Sequence, residues 1–464
     1  MSSERVDLAI IGAGPAGMAA ATEAAASGLS VAVIDEQPQA GGQIYRNVGE
    51  PVLQDPHILG TDYYQGAALV RALQAATITH IRNASVWEVS PTGYLCLTEA
   101  GVSRRLLFSR LLMAPGAQER PVPFPGWTTP GVMTCGSAQI LLKSSGLTPA
   151  APVVLAGSGP LLLLVACQLS RAGIPVAAVL DTTPTAHYWS ALAELGGALR
   201  GWQQLLKGVR LLAELKRSGI PRLTAVNGLR AEAGEDGKIA KVCFRQGDRD
   251  KQLDCTTLLV HQGVVPNVQL SRALKLEHRW DALQQCWRPQ LDAWGEGSLA
   301  GVFVAGDSAG IGGALAAEQQ GRLAALQIAQ QLNKLDTTLR DQRAAPIRKT
   351  IAQQLAIRPF LDRLYQPAGA FLRPSDQTLV CRCEEVTAGE IRSIARQGCA
   401  GPNQAKAFSR AGMGPCQGRQ CGLTVAQLMA EVQGVSVAEV GYYNIRMPVK
   451  PITLGELADL DLPA

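Results

Sequence analysis

The sequence predicts an α/β chain in which one Rossmann-like unit is inserted into another, with a small helical domain at the C-terminus. Three observations predict it. Apolar strands run into glycine-rich turns twice, at Gly12 and Gly157. A further strand ends in Gly306-Asp307, far downstream of both turns. Four cysteines then arrive as two close pairs, Cys381/Cys383 and Cys416/Cys421. A chain of 464 residues exceeds a single core and implies two or three domains. Apolar content of 47% with 48 glycines indicates a folded protein rich in tight turns. The net charge of +5 comes without a long basic run, so nucleic-acid binding is unsupported.

The first element is Val6–Ile11, apolar nearly throughout, as a parallel strand covered on both faces should be. Gly12-Ala-Gly14-Pro15-Ala16-Gly17 follows, and Met18–Ser27 reads as an alanine-rich helix. Gly12 permits the tight turn, Gly14 lets the backbone approach a pyrophosphate, and Gly17 lets helix and strand pack closely. Val31–Ile34 is the second strand. It ends in Asp35-Glu36, where a carboxylate accepts hydrogen bonds from the ribose of an adenosine. With strand, helix, second strand and acid in register, the segment reads as a dinucleotide site.

The inserted unit repeats the pattern. Val153–Ala156 leads into Gly157-Ser-Gly159-Pro-Leu-Leu162, a helix through Ser170, and a strand Val176–Leu180 ending in Asp181. Asp181 retains the ribose-side carboxylate. Leu162 replaces the third glycine, and its side chain is expected to push helix from strand. The unit therefore reads as a retained fold with altered or lost NADH binding, with a different adenine nucleotide as the alternative. No Cys-x-x-Cys or Cys-x4-Cys follows either glycine turn, and Cys135 stands alone, which argues against disulfide reductase chemistry.

Gly41-Gly42-Gln43 follows the first acid pair, and the strand Gly301–Ala305 ends in Gly306-Asp307 with Gly310-Ile-Gly312-Gly313 beyond it. These segments resemble the flavoprotein disulfide reductases and their relatives. The resemblance implies FAD in the first unit, with Gly42, Gln43, Gly116, Gly306, Asp307 and Gly313 added to its site. Asp307 would bond the ribityl chain, and the next helix would aim its N-terminus at the isoalloxazine. Where the usual string there is Ala-Thr-Gly, this chain has Ala114-Pro115-Gly116, which removes one backbone N–H.

In the C-terminal segment, Cys381 and Cys383 precede 32 residues and then Cys416-Gln-Gly-Arg-Gln-Cys421. Two close pairs of thiolates hold a metal centre, and glycines at 412, 414, 418 and 422 let the backbone wrap it. The stretch from about Thr378 to Gly434 resembles the module of bacterioferritin-associated ferredoxins, which implies a 2Fe–2S cluster on these four cysteines. Structural zinc, and a regulatory Cys416–Cys421 disulfide, are the other readings of the same residues. Cys399 lies outside the ligand pattern. The helix Ala388–Gln397 belongs to the module.

Longer strings widen the match: Arg120–Met133, His261–Asn267, Trp287-Arg-Pro289 with Asp292, and Gly306–Gly313. With the cysteines they resemble the large α subunits of heteromeric flavoprotein amine dehydrogenases. That group includes D-hydroxyproline dehydrogenase, opine oxidases, hydrogen cyanide synthase and dye-linked proline dehydrogenases. The resemblance implies a hetero-oligomer with a D-amino-acid-oxidase-like β subunit that oxidises the substrate's C–N bond, a small ferredoxin-like γ subunit, and FMN at a subunit interface. It also implies a relay role for this chain, towards a respiratory acceptor. No acid–base catalytic residue is nominated, since no Ser-His-Asp arrangement or suitably spaced carboxylate pair occurs.

The fold expected is thus two nested Rossmann-like dinucleotide-binding domains of glutathione-reductase type plus a small C-terminal helical iron–sulfur domain. The FAD domain spans 1–118 and 292–335, and the second nucleotide domain spans 119–291. A helical linker (336–377), the iron–sulfur domain (378–434) and a C-terminal arm (435–464), in which Asn444–Thr453 with its two prolines reads as extended, complete the chain. Asn333–Arg343 reads as a polar, charge-mixed linker, and Ile347–Leu364 as a helical connector. His57, His80, His187 and His278 read as surface or packing residues, and His261 as support near the flavin. With Val6 already in a strand, no room is left for a signal peptide. The stretch Val153–Leu169 is too short and interrupted to span a bilayer. Six cysteines scattered singly among apolar residues fit a reducing compartment, so the expected location is cytoplasmic, with peripheral attachment at the inner membrane face left open.

Overall fold

The computed structural model describes residues 5–460. Arg5–Ile11 lies in the middle of the first sheet, parallel to Val31–Ile34 on one side and to Val102–Met113 on the other. Thr79–Ile81 extends one edge in parallel, and Val302–Val304 pairs in parallel with Leu111–Met113. The same long strand carries an antiparallel meander, Tyr94–Glu99 and Ala84–Ser90. Residues near the start of the chain and residues about 300 positions later therefore share one sheet, which is the nested order expected.

A second sheet of five strands is wholly parallel. Its central strand, Val153–Ser158, is buried at every residue between Val176–Asp181 and Thr257–Gln262. That explains a strand apolar from end to end rather than alternating. A three-stranded antiparallel sheet (Val226–Ala233, Ile239–Gln246, Arg249–Asp254) packs beside it.

Two helices fix the first site. Pro15–Ala26 and Ala314–Gln331 cross so closely that a Cβ on Gly321 would stand 2.1 Å from the carbonyl oxygen of Ala16. The region read as a helical linker is helical from Thr337 to Leu355. Asp336 caps Thr337–Leu355 by accepting from the Leu339 N–H at 2.9 Å, and Pro346 lies inside the helix. Ala344, Ile347 and Ile351 pack on Leu323 and Leu326, and this tertiary burial seats a helix of polar, charge-mixed composition.

In the cysteine module, Thr387 and Glu390 form a capping box that starts Ala388–Arg396. That helix packs on Gly422–Gln433 through Ile391, Val425 and Met429, and this core is continuous with Val86, Leu97 and Leu106 of the first sheet. The arm beyond it returns to the same sheet. The Val449 N–H donates to the Trp87 carbonyl at 2.9 Å, and Leu460 packs on Trp87 and Cys96. Among the described residues, no helix is long and apolar enough to cross a membrane.

His278 is a packing residue with a consequence. Its Nδ1 faces the Leu276 carbonyl at 2.7 Å and its Nε2 faces the Ser271 hydroxyl at 2.9 Å. Burial, reinforced by Arg272, lowers its pKa to about 4. The unfolded chain binds this proton near pH 6.5 and the folded chain does not, so stability falls as pH drops from 6.5 towards 4. Between pH 7 and 5 the expected loss from this group is about 2 kcal/mol, read from urea unfolding midpoints. A His278→Gln variant should flatten that slope.

Candidate cofactor sites

In the first glycine turn, steric demand falls where the fingerprint places it. A Cβ on Gly12, whose φ is +105°, would meet the Ala114 carbonyl oxygen at 2.4 Å. One on Gly17 would stand 1.9 Å from the Gly12 carbonyl oxygen and 3.3 Å from the Ile10 side chain. Gly14 and Gly42 pass each other so closely that a Cβ on Gly42 would lie 2.9 Å from the Gly14 Cα. Pro15 opens the helix at its first turn, where its missing N–H costs nothing.

The acids at the end of the second strand are both engaged. Asp35 accepts from the Ala13 N–H at 2.6 Å and the Gln37 N–H at 2.8 Å, which ties the strand end to the glycine turn. Glu36 accepts from the Ser85 hydroxyl at 3.4 Å and pairs with Lys450 of the C-terminal arm. The Gln43 amide donates to the Ala117 carbonyl at 3.2 Å.

Asp307 joins these residues from the far end of the chain. One of its oxygens accepts from both Gly312 and Gly313 N–H at 2.9 Å, which shapes the turn before Ala314–Gln331. Gly306 lies against the first turn, since its Cβ would stand 3.0 Å from the Ala16 methyl. Gly116 and Gly313 face open space, with no atom within 4 Å of an added Cβ. Arg46 was not singled out from sequence. Its side chain is buried beside Asp35 and its Nε has no partner, so the residues present fit an anionic nucleotide here. The signal available was its place three residues after Gly42-Gln43.

The second turn has the same shape but is closed. A Cβ on Gly157 would stand 1.7 Å from the His261 carbonyl oxygen, and one on Gly159 would lie 3.6 Å from the His261 ring. His261 lies beside this turn and bonds Glu119 at 2.6 Å. Glu119 also accepts from the Gly136 N–H at the start of Cys135–Ser145. Asp181 is buried, with its carboxylate held by Arg222 and by the Thr183 N–H at 2.9 Å. Leu162 does not splay helix from strand. It is buried with Leu155, Leu169 and Val179 in a common core.

The cysteines meet across the two sequence pairs. The Cys381 thiol contacts Cys421, and Cys383 contacts Cys416. All four are free, so the structure pairs neither Cys416 with Cys421 nor any others as a disulfide. Cys421, with the amides of Gly412, Glu384 and Cys383, brings Cys381 down to about 6 against its burial. Sharing that contact pushes Cys421 up, with burial adding to the effect. The sulfurs stand as two pairs: among the described residues, no three His, Cys, Asp or Glu side chains already converge as a metal cage.

Glycines make the wrap close. A Cβ on Gly414 would lie 2.3 Å from the Cys383 Cβ, and Cβ atoms on Gly412 and Gly418 would each come within 2.5 Å of the Tyr443 ring. Four thiols form a soft donor set that fits an iron–sulfur cluster or zinc. The loop between them docks on the first two units: its carbonyls at Gln417 and Arg419 accept from Gln269 and Gln118, both at 3.0 Å. Cys399 is buried, its thiol directed at the Gly401 carbonyl.

Fold and glycine turns define the class. Residues 6–331 match the pyridine nucleotide-disulphide oxidoreductase family, and residues 375–460 match the sarcosine oxidase A3 domain. The chain is 44% identical to an opine oxidase subunit of Rhizobium meliloti, covering 98% of this chain and 99% of that one. It is 36% identical to the hydrogen cyanide synthase subunit HcnB of Pseudomonas aeruginosa, covering 98% and 99%. The L-proline dehydrogenase structure from P. horikoshii shares the fold, with a TM-score of 0.69 at 19% identity, covering 98% of this chain and 80% of that one. The chain therefore belongs to the family that these opine oxidase and hydrogen cyanide synthase proteins share, flavoprotein oxidoreductase subunits of heteromeric enzymes.

Proposed function

We propose that the chain is the electron-transferring subunit of a multisubunit dehydrogenase that oxidises an amine or imino or amino acid of the D-hydroxyproline or opine type. The family supports amine oxidation by an assembly. The observation that carries the relay role is the docking of the cysteine loop on Gln118 and Gln269. These residues lie beside Gly116, whose carbonyl accepts from the Asn267 N–H at 3.0 Å, so the two candidate centres lie against one contiguous stretch of backbone.

In this reading FAD is held by Gly12, Gly14, Pro15, Ala16, Gly17, Asp35, Glu36, Gly42, Gln43, Gly116, Gly306, Asp307 and Gly313. Arg46 offers its free Nε to a phosphate. Cys381, Cys383, Cys416 and Cys421 hold a 2Fe–2S cluster. A flavin takes up two electrons as a hydride and releases them singly, which suits it to a one-electron cluster. The chain's residues position these groups and keep water from the buried thiols, while the domain limits read from sequence divide the work between them. A D-amino-acid-oxidase-like β subunit carries the substrate pocket. A ferredoxin-like γ subunit, FMN at the boundary and a respiratory acceptor complete the proposal.

The second turn is read as a vestige. Arg222 occupies the carboxylate of Asp181 that a ribose would use, which weighs against a stand-alone NAD(P)H reductase and against a bound adenine nucleotide. The test is cofactor extraction from the purified chain with iron and sulfide analysis, together with NADH titration. FAD with equal iron and sulfide, a flavin spectrum unmoved by NADH, and amine turnover only with the partner subunits are expected. Zinc in place of iron, or rapid bleaching by NADH, overturns the reading.

A further inference from the structure

Among the described residues, nine of the 21 exposed large hydrophobic side chains crowd into residues 188–212. Trp189 is 72% exposed, Leu199 67%, Val209 61% and Trp202 58%. Most of these residues belong to three helices, Thr185–Ala191, Leu195–Arg200 and Trp202–Arg217, that follow the closed second turn. The longest helix buries Leu211 and Leu215 against Pro160–Arg171, which turns Trp202, Leu206 and Val209 outwards at one-turn spacing. A core helix does not leave its second apolar stripe in water without cause.

The charges around this stripe are one-sided. Glu194 is paired with Arg363 at 3.0 Å and Glu214 with Arg171 at 2.6 Å, so both acids of this stretch are neutralised. Lys207 is paired with Asp62. Arg200, Arg210, Lys216 and Arg217 are exposed, and no carboxylate pairs with them among the described residues. Exposed Trp and Leu beside unpaired Arg and Lys, with no free acid, is the make-up of an element that lies in the interface of a charged bilayer. The buried core of a protein–protein interface, by contrast, is depleted of charged residues.

We propose that this face seats the protein peripherally on an anionic phospholipid surface, Trp189, Leu199, Trp202 and Val209 entering the headgroup layer and the four free cations contacting lipid phosphates. The proposal stands on exposure and charge alone, whichever cofactors the chain holds.

The test uses the assembled protein in flotation assays with vesicles of phosphatidylglycerol and phosphatidylcholine, or of phosphatidylcholine alone. Expected are binding to the anionic vesicles, weakening as salt rises, and quenching of tryptophan fluorescence by brominated lipid. The combined variant Trp189→Ser, Leu199→Ser, Val209→Ser should lose about tenfold or more of the partition. Arg200→Gln with Arg210→Gln should lose about fivefold per cation removed. All these residues are exposed, so cofactor content and thermal midpoint should not change. The proposal is overturned if the wild-type assembly binds anionic vesicles no better than neutral ones. It is equally overturned if the triple variant binds them as well as wild type but no longer assembles with its partner subunits, which would make the face a protein interface.

Discussion

Cys421→Ser is expected to strip the chain of iron and acid-labile sulfide while leaving its nucleotide-binding half folded. Cys421 is fully buried, caps the start of the Gly422–Gln433 helix, and shares its thiol with Cys381. Serine keeps the volume but offers a hard oxygen where a soft metal needs sulfur. Iron content should fall from about two atoms per chain to near zero. Stability should fall by about 1–3 kcal/mol, the cost of a buried hydroxyl without a full set of partners. Cys399→Ser is the control, since that thiol stands apart from both pairs and iron content should not change. If Cys421→Ser retains its iron and sulfide, the assignment of the four cysteines fails.

The second large effect is expected at Gly17. An alanine there would place its methyl 1.9 Å from the Gly12 carbonyl oxygen, with no flexible side chain to give way. The helix start or the glycine turn must shift, and either movement misplaces the backbone amides that meet the pyrophosphate. Flavin affinity should fall by about a hundredfold or more, on the order of 3 kcal/mol. Equilibrium dialysis and the flavin absorbance of the purified protein read this directly. Gly28→Ala is a useful comparison because no atom lies within 4 Å of its added Cβ, although its φ of +80° carries some strain. A Gly17→Ala protein that retains flavin with wild-type affinity would place the nucleotide elsewhere.

How much of this was legible in the sequence depended on whether local spacing or distant partners decide the outcome. Gly12, Gly14, Gly17 and the strand around them were legible because each glycine answers a constraint set by its neighbours in sequence. Asp307 stood out because a strand ending in Gly-Asp is a local pattern, which leaves its ligand role a proposal. The structure adds that Asp307 shapes its own turn through Gly312 and Gly313. Asp181 looked available because its competitor, Arg222, lies 41 residues away on the neighbouring strand. The effect of Leu162 was misjudged for a similar reason: a core assembled from other strands absorbs the side chain. What seats the linker helix was hidden, because its charged surface conceals a small apolar contact on one face. The exposed stripe at 188–212 gave no signal at all, since helical spacing of apolar residues is the same whether the face is covered or bare.

The C-terminal arm bears on the order of biogenesis. Lys450 pairs with Glu36, and Val449 bonds Trp87, so a segment far downstream braces the acid at the end of the second strand. A nascent chain can build the first sheet's early strands but lacks this brace, and the Val302–Val304 strand, until synthesis is well advanced. The brace on the first nucleotide site is therefore complete only after the arm has been made.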